Sequence, residues 1–221
     1  MTFIADCPLP TALTPITAQD CGIIWGQIAG FAVQRIDDAT NNFTAPGNPI
    51  TAEVNWNTFA GAADDTKIIY TPFLGSGLTI PKSTANETGG NDNTTIEGIP
   101  IYNGEDVVQV TGLFRNLNMT VVDELRLLTD ESLSAIGRTN IGVYLFPEQT
   151  DTDNRVIARQ LATDSYAPIP IYNFRLSSVG TEGFNAQNEY DVTFYLKGRW
   201  DDDVDTVSGL DFDPLTKLAN A

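Results

Sequence analysis

Few side chains in these 221 residues can do chemistry, and the most versatile of them is missing. There is no histidine, which removes serine–histidine triads, imidazole general bases and histidine-ligated metals. Cys7 and Cys21 lie 14 positions apart. Two thiols make neither a disulfide scaffold nor a complete zinc site, and they do not form a CxxC redox pair. They read as two unpaired thiols of a protein made in a cytosol, with a single bridge as the alternative in an oxidising space. Carboxylates cluster at Asp151 and Asp153 and at Asp201, Asp202, Asp203 and Asp205. An EF-hand loop needs glycine at its sixth position and a carboxylate at its twelfth. Counted from Asp151 these are Val156 and Ala162, and from Asp201 they are Thr206 and Phe212. Both clusters therefore read as solvated acidic turns. The glycines of GSG (75–77) and TGGNDN (88–93) lack the lysine and the spacing of a phosphate loop. No acid sits in the strongly apolar context that would raise its pKa for glycosidase work. Trp25, Trp56 and Trp200 each lie beside apolar neighbours and read as packing residues before they read as a sugar platform.

The charge balance narrows the field further. Twelve Lys plus Arg against 29 Asp plus Glu give a net charge of −17. Such an excess opposes broad electrostatic attraction to nucleic-acid backbones or anionic membranes. Hydrophobic residues make up 42% of the chain, enough for a packed core and against global disorder. The start, MTFIADCPLP, has neither a basic n-region nor an apolar run of roughly 7–15 residues, so no signal peptide is expected. No apolar stretch approaches the ~18 residues of a membrane span.

The elements that must carry any function are mostly strands. Residues 1–20, with Pro8, Pro10 and Pro15, form an extended arm, since proline fixes φ and removes a donor. Phe31 and Val33 alternate with Ala32 and Gln34, predicting a strand over 27–36. A short helix capped by Thr51 follows, with Val54, Phe59 and Trp56 on one side, and then a strand at 66–72. Residues 75–104 show no element and read as one long loop. A segment of that length inside a compact domain is either disordered or ordered by something outside it. A strand at 106–114 leads to the best helix, about 120–136, capped by Thr120, striped by Val121, Leu125, Leu128 and then Ser132 or Leu133, and stopped at Gly137.

The rest reads as β. Strands at 141–146 and 155–160 flank a hairpin turn, and 171–178 and 189–200 alternate strictly, with Tyr172, Phe174 and Leu176, and Tyr190, Val192, Phe194 and Leu196, turned one way. The chain then closes on an acidic extension (201–221) bearing Leu210, Phe212, Leu215 and Leu218. Six or seven strands with one or two helices predict a single mainly-β domain, a β-sandwich or open barrel with one flanking α-helix.

This order of features resembles the phage tail tube (major tail) proteins. The resemblance rests on CGIIWGQIAGFAVQR (21–35), the loop 75–104, the helix 120–136, and EYDVTFYLKGRWDDD with the later LDFDPL. It covers most of the chain as an order of elements and not as a motif. It implies a virion structural protein with no catalytic, cofactor or metal residues. Such a subunit, made in the host cytoplasm and residing in the virion tail, stacks as homo-oligomeric rings, hexamers in that family, with other tail proteins as partners. DNA passes through as cargo, and no membrane is involved. Acids facing a conduit would repel phosphates instead of holding them. Asp151, Asp153, Glu189 and Asp191 are the candidate lumen acids. Asn86, Glu87, Asn91, Asp92 and Asn93 are the candidate inter-ring contacts. Two other readings stay open: another virion component, such as a head decoration, head–tail ring or fibre-base protein, and a carbohydrate-binding β-sandwich.

Overall fold

Strand formation follows the alternation of the sequence closely where one face is buried. The computed structural model describes residues 27–90, 99–133, 140–148, 154–179 and 188–218. The arm 1–20, both cysteines, Trp25, Asn91, Asp92, Asn93, Gly137, Asp151 and Asp153 lie outside the described residues. The chain begins with β1 (Ile28–Arg35), β2 (Phe43–Thr44), helix α1 (Glu53–Ala60) and β3 (Ile68–Tyr70). It continues with β4 (Ala85–Thr88), β5 (Ile101–Glu105), β6 (Val108–Arg115) and helix α2 (Met119–Leu133). The remaining strands are β7 (Ile141–Pro147), β8 (Arg155–Ala162), β9 (Ser165–Ala167), β10 (Ile169–Pro170), β11 (Tyr172–Leu176), β12 (Glu189–Leu196) and β13 (Val204–Ser208). A 3-10 turn, Pro214–Lys217, is the last element among the described residues. The protein is mainly β, a curled half-barrel of sheet with a flanking helix.

The large sheet has the strand order β2-β9-β8-β7-β1-β3, with β10 beside β7 and β13 beside β8. A second sheet has the order β11-β12-β6, and β4 pairs with β5 as a separate ribbon. Residues 71–79 stitch the two larger sheets together. Leu74 and Leu78 donate to the carbonyls of Ala29 and Ile28 on β1, while Gly75 and Thr79 donate to those of Leu113 and Thr111 on β6. The sheet curls at this seam. Gly112 makes the curl possible, because a Cβ there would press into Leu78 and Leu74.

Two apolar cores lie on opposite faces of the large sheet. Inside the curl, Phe31, Phe114, Phe174 and Phe194 are fully buried, with Phe31 within 5.9–6.4 Å of the other three ring centres. Helix α2 closes this core with Val122, Leu125 and Leu128. On the outer face, Trp56 is fully buried among Phe43, Tyr144 and Phe146. Its indole N–H donates to the Ile50 carbonyl at 2.7 Å. β7 divides the two: Ile141, Val143 and Leu145 belong to the inner core, Tyr144 and Phe146 to the outer. A strand covered on both sides reads as a continuous apolar run, which is what IGVYLF is.

Several expectations change. Of the extension 201–221, residues 201–218 fold back on the sheet: β13 pairs with β8 along Val204–Ser208, and Leu210, Phe212 and Leu218 are buried in the outer core. The segment 75–104 holds a β-hairpin instead of lacking elements. Helix α1 starts after Ala52, not Thr51, and its first N–H is served from afar, with Asp211 Oδ1 accepting from Glu53 N at 2.7 Å. Val54 is 66% exposed, because it lies two residues, or about 200° around the helix, from Trp56. Helix α2 is capped by Asn118, whose Oδ1 accepts from Val121 N at 2.9 Å. The shift moves the buried stripe to Val122, Leu125, Leu128 and Ser132. Thirteen strands appear among the described residues where six or seven were expected, since the additional ones are two to five residues long and carry too little alternation to register.

Candidate assembly surfaces

Asn86 and Glu87 both lie on β4, and every residue of that strand is exposed. β4 pairs antiparallel with β5 through Ala85↔Glu105, Asn86↔Gly104, Glu87↔Tyr102 and Thr88↔Ile101, with a bulge between Asn86 and Glu87. The ribbon is rooted by Asp106 N donating to Thr84 O at 2.9 Å and by a short Ser83–Glu105 side-chain hydrogen bond. Gly198 lets the root sit close, since a Cβ there would strike the carbonyls of Glu105 and Asp106. Beyond the root, Ile99 (60%), Ile101 (56%) and Tyr102 (54%) present apolar surface to solvent. A two-stranded hairpin is at best marginally stable alone in water, and this one has no core of its own.

Glu189 and Asp191 stand on β12 at the outward face of the three-stranded sheet, the alternation having placed Tyr190, Val192, Phe194 and Leu196 inside. This face is not acidic overall. Glu189 accepts from Arg115 Nε at 3.0 Å across the β6–β12 ladder, and Arg175 on β11 is exposed opposite Thr193. The face thus carries two acids and two arginines, of which Glu189 and Arg115 pair. The acidic excess lies elsewhere, in turns and on α2 (Asp123, Glu124, Asp130, Glu131). Of the other acid cluster, Asp202 pairs with Arg199 at 2.9 Å and Asp205 accepts from the Tyr166 hydroxyl at 3.5 Å. Among the described residues no three acids or thiols converge to hold a metal ion.

A third surface is invisible in the sequence pattern. Between β3 and α2 runs an open groove of about 780 Å³. Ile69 (40% exposed) and Leu127 (67%) form its rims, and Val33, Leu125 and Ile141 its floor. Arg35 ties one end, with Nε 2.8 Å from Glu131 Oε1 on α2 and a short bond to Asp65. The hydrogen bond to Glu131 raises the Arg35 pKa further above its ordinary value. At the other end Lys217 bonds Glu53 and Asn57, and that bond lowers the Glu53 pKa. Burial pushes the Tyr70 phenol upward, and its buried hydroxyl has no hydrogen-bond partner among the described residues. Leu127 was hidden because it adjoins Leu128: a Leu-Leu pair on a helix does not say which member turns outward.

Of the tryptophans, Trp56 is wholly internal and Trp200 is partly buried against the inner core. No helix among the described residues is long and apolar enough to cross a membrane. No protein-family model and no curated protein matches this chain.

Proposed function

We propose that this chain is a virion structural protein, the repeating subunit of a phage tail tube, whose copies stack as rings around passing DNA. The observation that carries the reading is the β4–β5 hairpin, a ribbon exposed along all of β4 with Ile99, Ile101 and Tyr102 bare. Neighbouring copies supply the missing contacts, in keeping with the symmetric self-association that such unsatisfied surfaces favour. The net charge of −17 suits a conduit that must not hold phosphates. On this reading the repulsion comes from the summed charge of the ring, because the acids of β12 are balanced by Arg115 and Arg175. Hexamers remain the expected ring, and other tail proteins the expected partners.

Deletion of residues 86–97 tests the reading. The deleted chain should remain folded, with an unchanged unfolding midpoint, and should fail to form long tubes that the intact chain forms under negative-stain microscopy. Normal tubes after the deletion would remove the hairpin's role. Closed rings that never extend from the intact chain would favour another virion component.

A further inference from the structure

We infer that the groove between the free edge of β3 and α2 is a docking slot for one β-strand, and that its occupant is β5, with the flanking Ile99, from a second copy of this chain. The backbone gives the first reason. Thr71 N donates to Phe31 O at 3.1 Å, and the register pairs Val33 with Ile69 and Ala32 with Tyr70. By antiparallel alternation the peptide groups of Ile69 point to β1, and those of Ile68 and Tyr70 point outward. β3 ends the large sheet, and among the described residues nothing bonds its outer edge. Such an edge accepts an added strand.

The side chains give the second reason. A strand laid against β3 would alternate between two sides. On the α2 side it meets Ile69, Leu127 and Val121, and on the α1 side Tyr70, Ala60 and the stem of Lys217. Both sides are apolar enough to cover large side chains.

The occupant follows from complementarity. β5 and its lead-in expose Ile99, Ile101 and Tyr102, and among the described residues β5 is bonded on one edge only, to β4. From Ser83 to Val107 the charged residues are Glu87, Asp92, Glu97, Glu105 and Asp106, with no base among them. The slot's lining carries both signs, Lys67 together with Asp64 and Glu124 besides the engaged Arg35 and Lys217, so the match between slot and hairpin is made by apolar side chains and open strand edges and not by charge. Among the described residues of one molecule the hairpin stands in solvent and the groove is open, so neither fills the other. The inference rests on the self-assembly reading for its partner, but it requires only that two copies meet, not that they form a tube.

Directed cross-linking decides it. In a full-length Cys7→Ser, Cys21→Ser background, one population carries Ile69→Cys. A second carries Ile99→Cys, Ile101→Cys or Tyr102→Cys in turn, and the two are mixed and oxidised. Docking should give at least one mixed disulfide dimer about tenfold above a control in which Val179→Cys replaces Ile69→Cys, reflecting the raised effective concentration of a bound pair. Yields equal to the control for all three positions would overturn the inference. A chain carrying both Ile69→Cys and its best partner should give interchain ladders, whereas a cross-linked monomer would assign the slot to the chain's own hairpin and overturn it as well. Microscopy of the same samples separates the two claims. Tubes without the mixed disulfide sink the slot alone, and the disulfide without rings or tubes sinks the tube reading while keeping the slot.

Discussion

Replacing Gly30 by alanine would drive a methyl group into Leu218, which lies directly over that Cα. The expected loss is about 1–3 kcal/mol, typical of overpacking, read as a lower urea midpoint together with faster proteolysis after residue 208. Nearby, Lys217 lowers the Glu53 pKa below its ordinary 4.5. A depressed folded-state value means that this contact stabilises above the ordinary glutamate pKa and is lost as pH falls through the folded one. Acid should therefore loosen the closing segment before the core melts, and Lys217→Met should abolish that early step in proteolysis followed against pH. Tyr144 behaves oppositely. It is fully buried, donates to Gln34 Oε1 at 3.0 Å, and burial raises its pKa well above 10.0. Its neutral form is stabilising below the unfolded value, and that contribution is lost as pH rises past it. Absorbance at 295 nm should show the Tyr144 phenolate appearing only with unfolding, and a Tyr144→Phe chain should lose that component. At this scale the sequence was readable where apolar residues alternate, as in Tyr190 to Leu196. It was silent on Asp211, which serves a helix 158 positions away, because such long-range caps leave no local spacing.

Among the elements, α2 was legible from its three-to-four periodicity, though not its first residue. Asn118 stands one turn upstream of the apparent stripe and does the capping. Asn118→Ala should cost about 1 kcal/mol, measured by chemical denaturation, with little change in assembly. The hairpin was not legible, for a physical reason. Pattern reading finds strands through one buried face, and β4 (ANET) has none. β5 (IYNGE) places only Ile101 and Tyr102 side by side before a glycine. The same absence that hid these strands is what makes them candidates for contact with another molecule. The segment after residue 200 read as an acidic extension with an apolar group, and that group, through Leu210, Phe212 and Leu218, fills the outer core.

For the whole molecule, like charge governs how copies approach. Subunits of −17 repel over roughly 30 Å at 0.01 M salt and about 8 Å at 0.15 M. Self-association should therefore strengthen as salt rises through this range, seen by light scattering. A decline with salt would instead point to ion pairs as the main adhesive. Architecture at this scale was predictable as mainly β with a flanking helix, whereas the presence of a second core was not. The clue lay in IGVYLF, an unbroken apolar run that asks for cover on both sides. Because β7 is the shared wall of both cores, neither half has an independent boundary along which to melt. Warming should accordingly produce one calorimetric peak whose van't Hoff and calorimetric enthalpies agree, and a cavity cut at Trp56 should lower the melting of the distant phenylalanine cluster as much as its own.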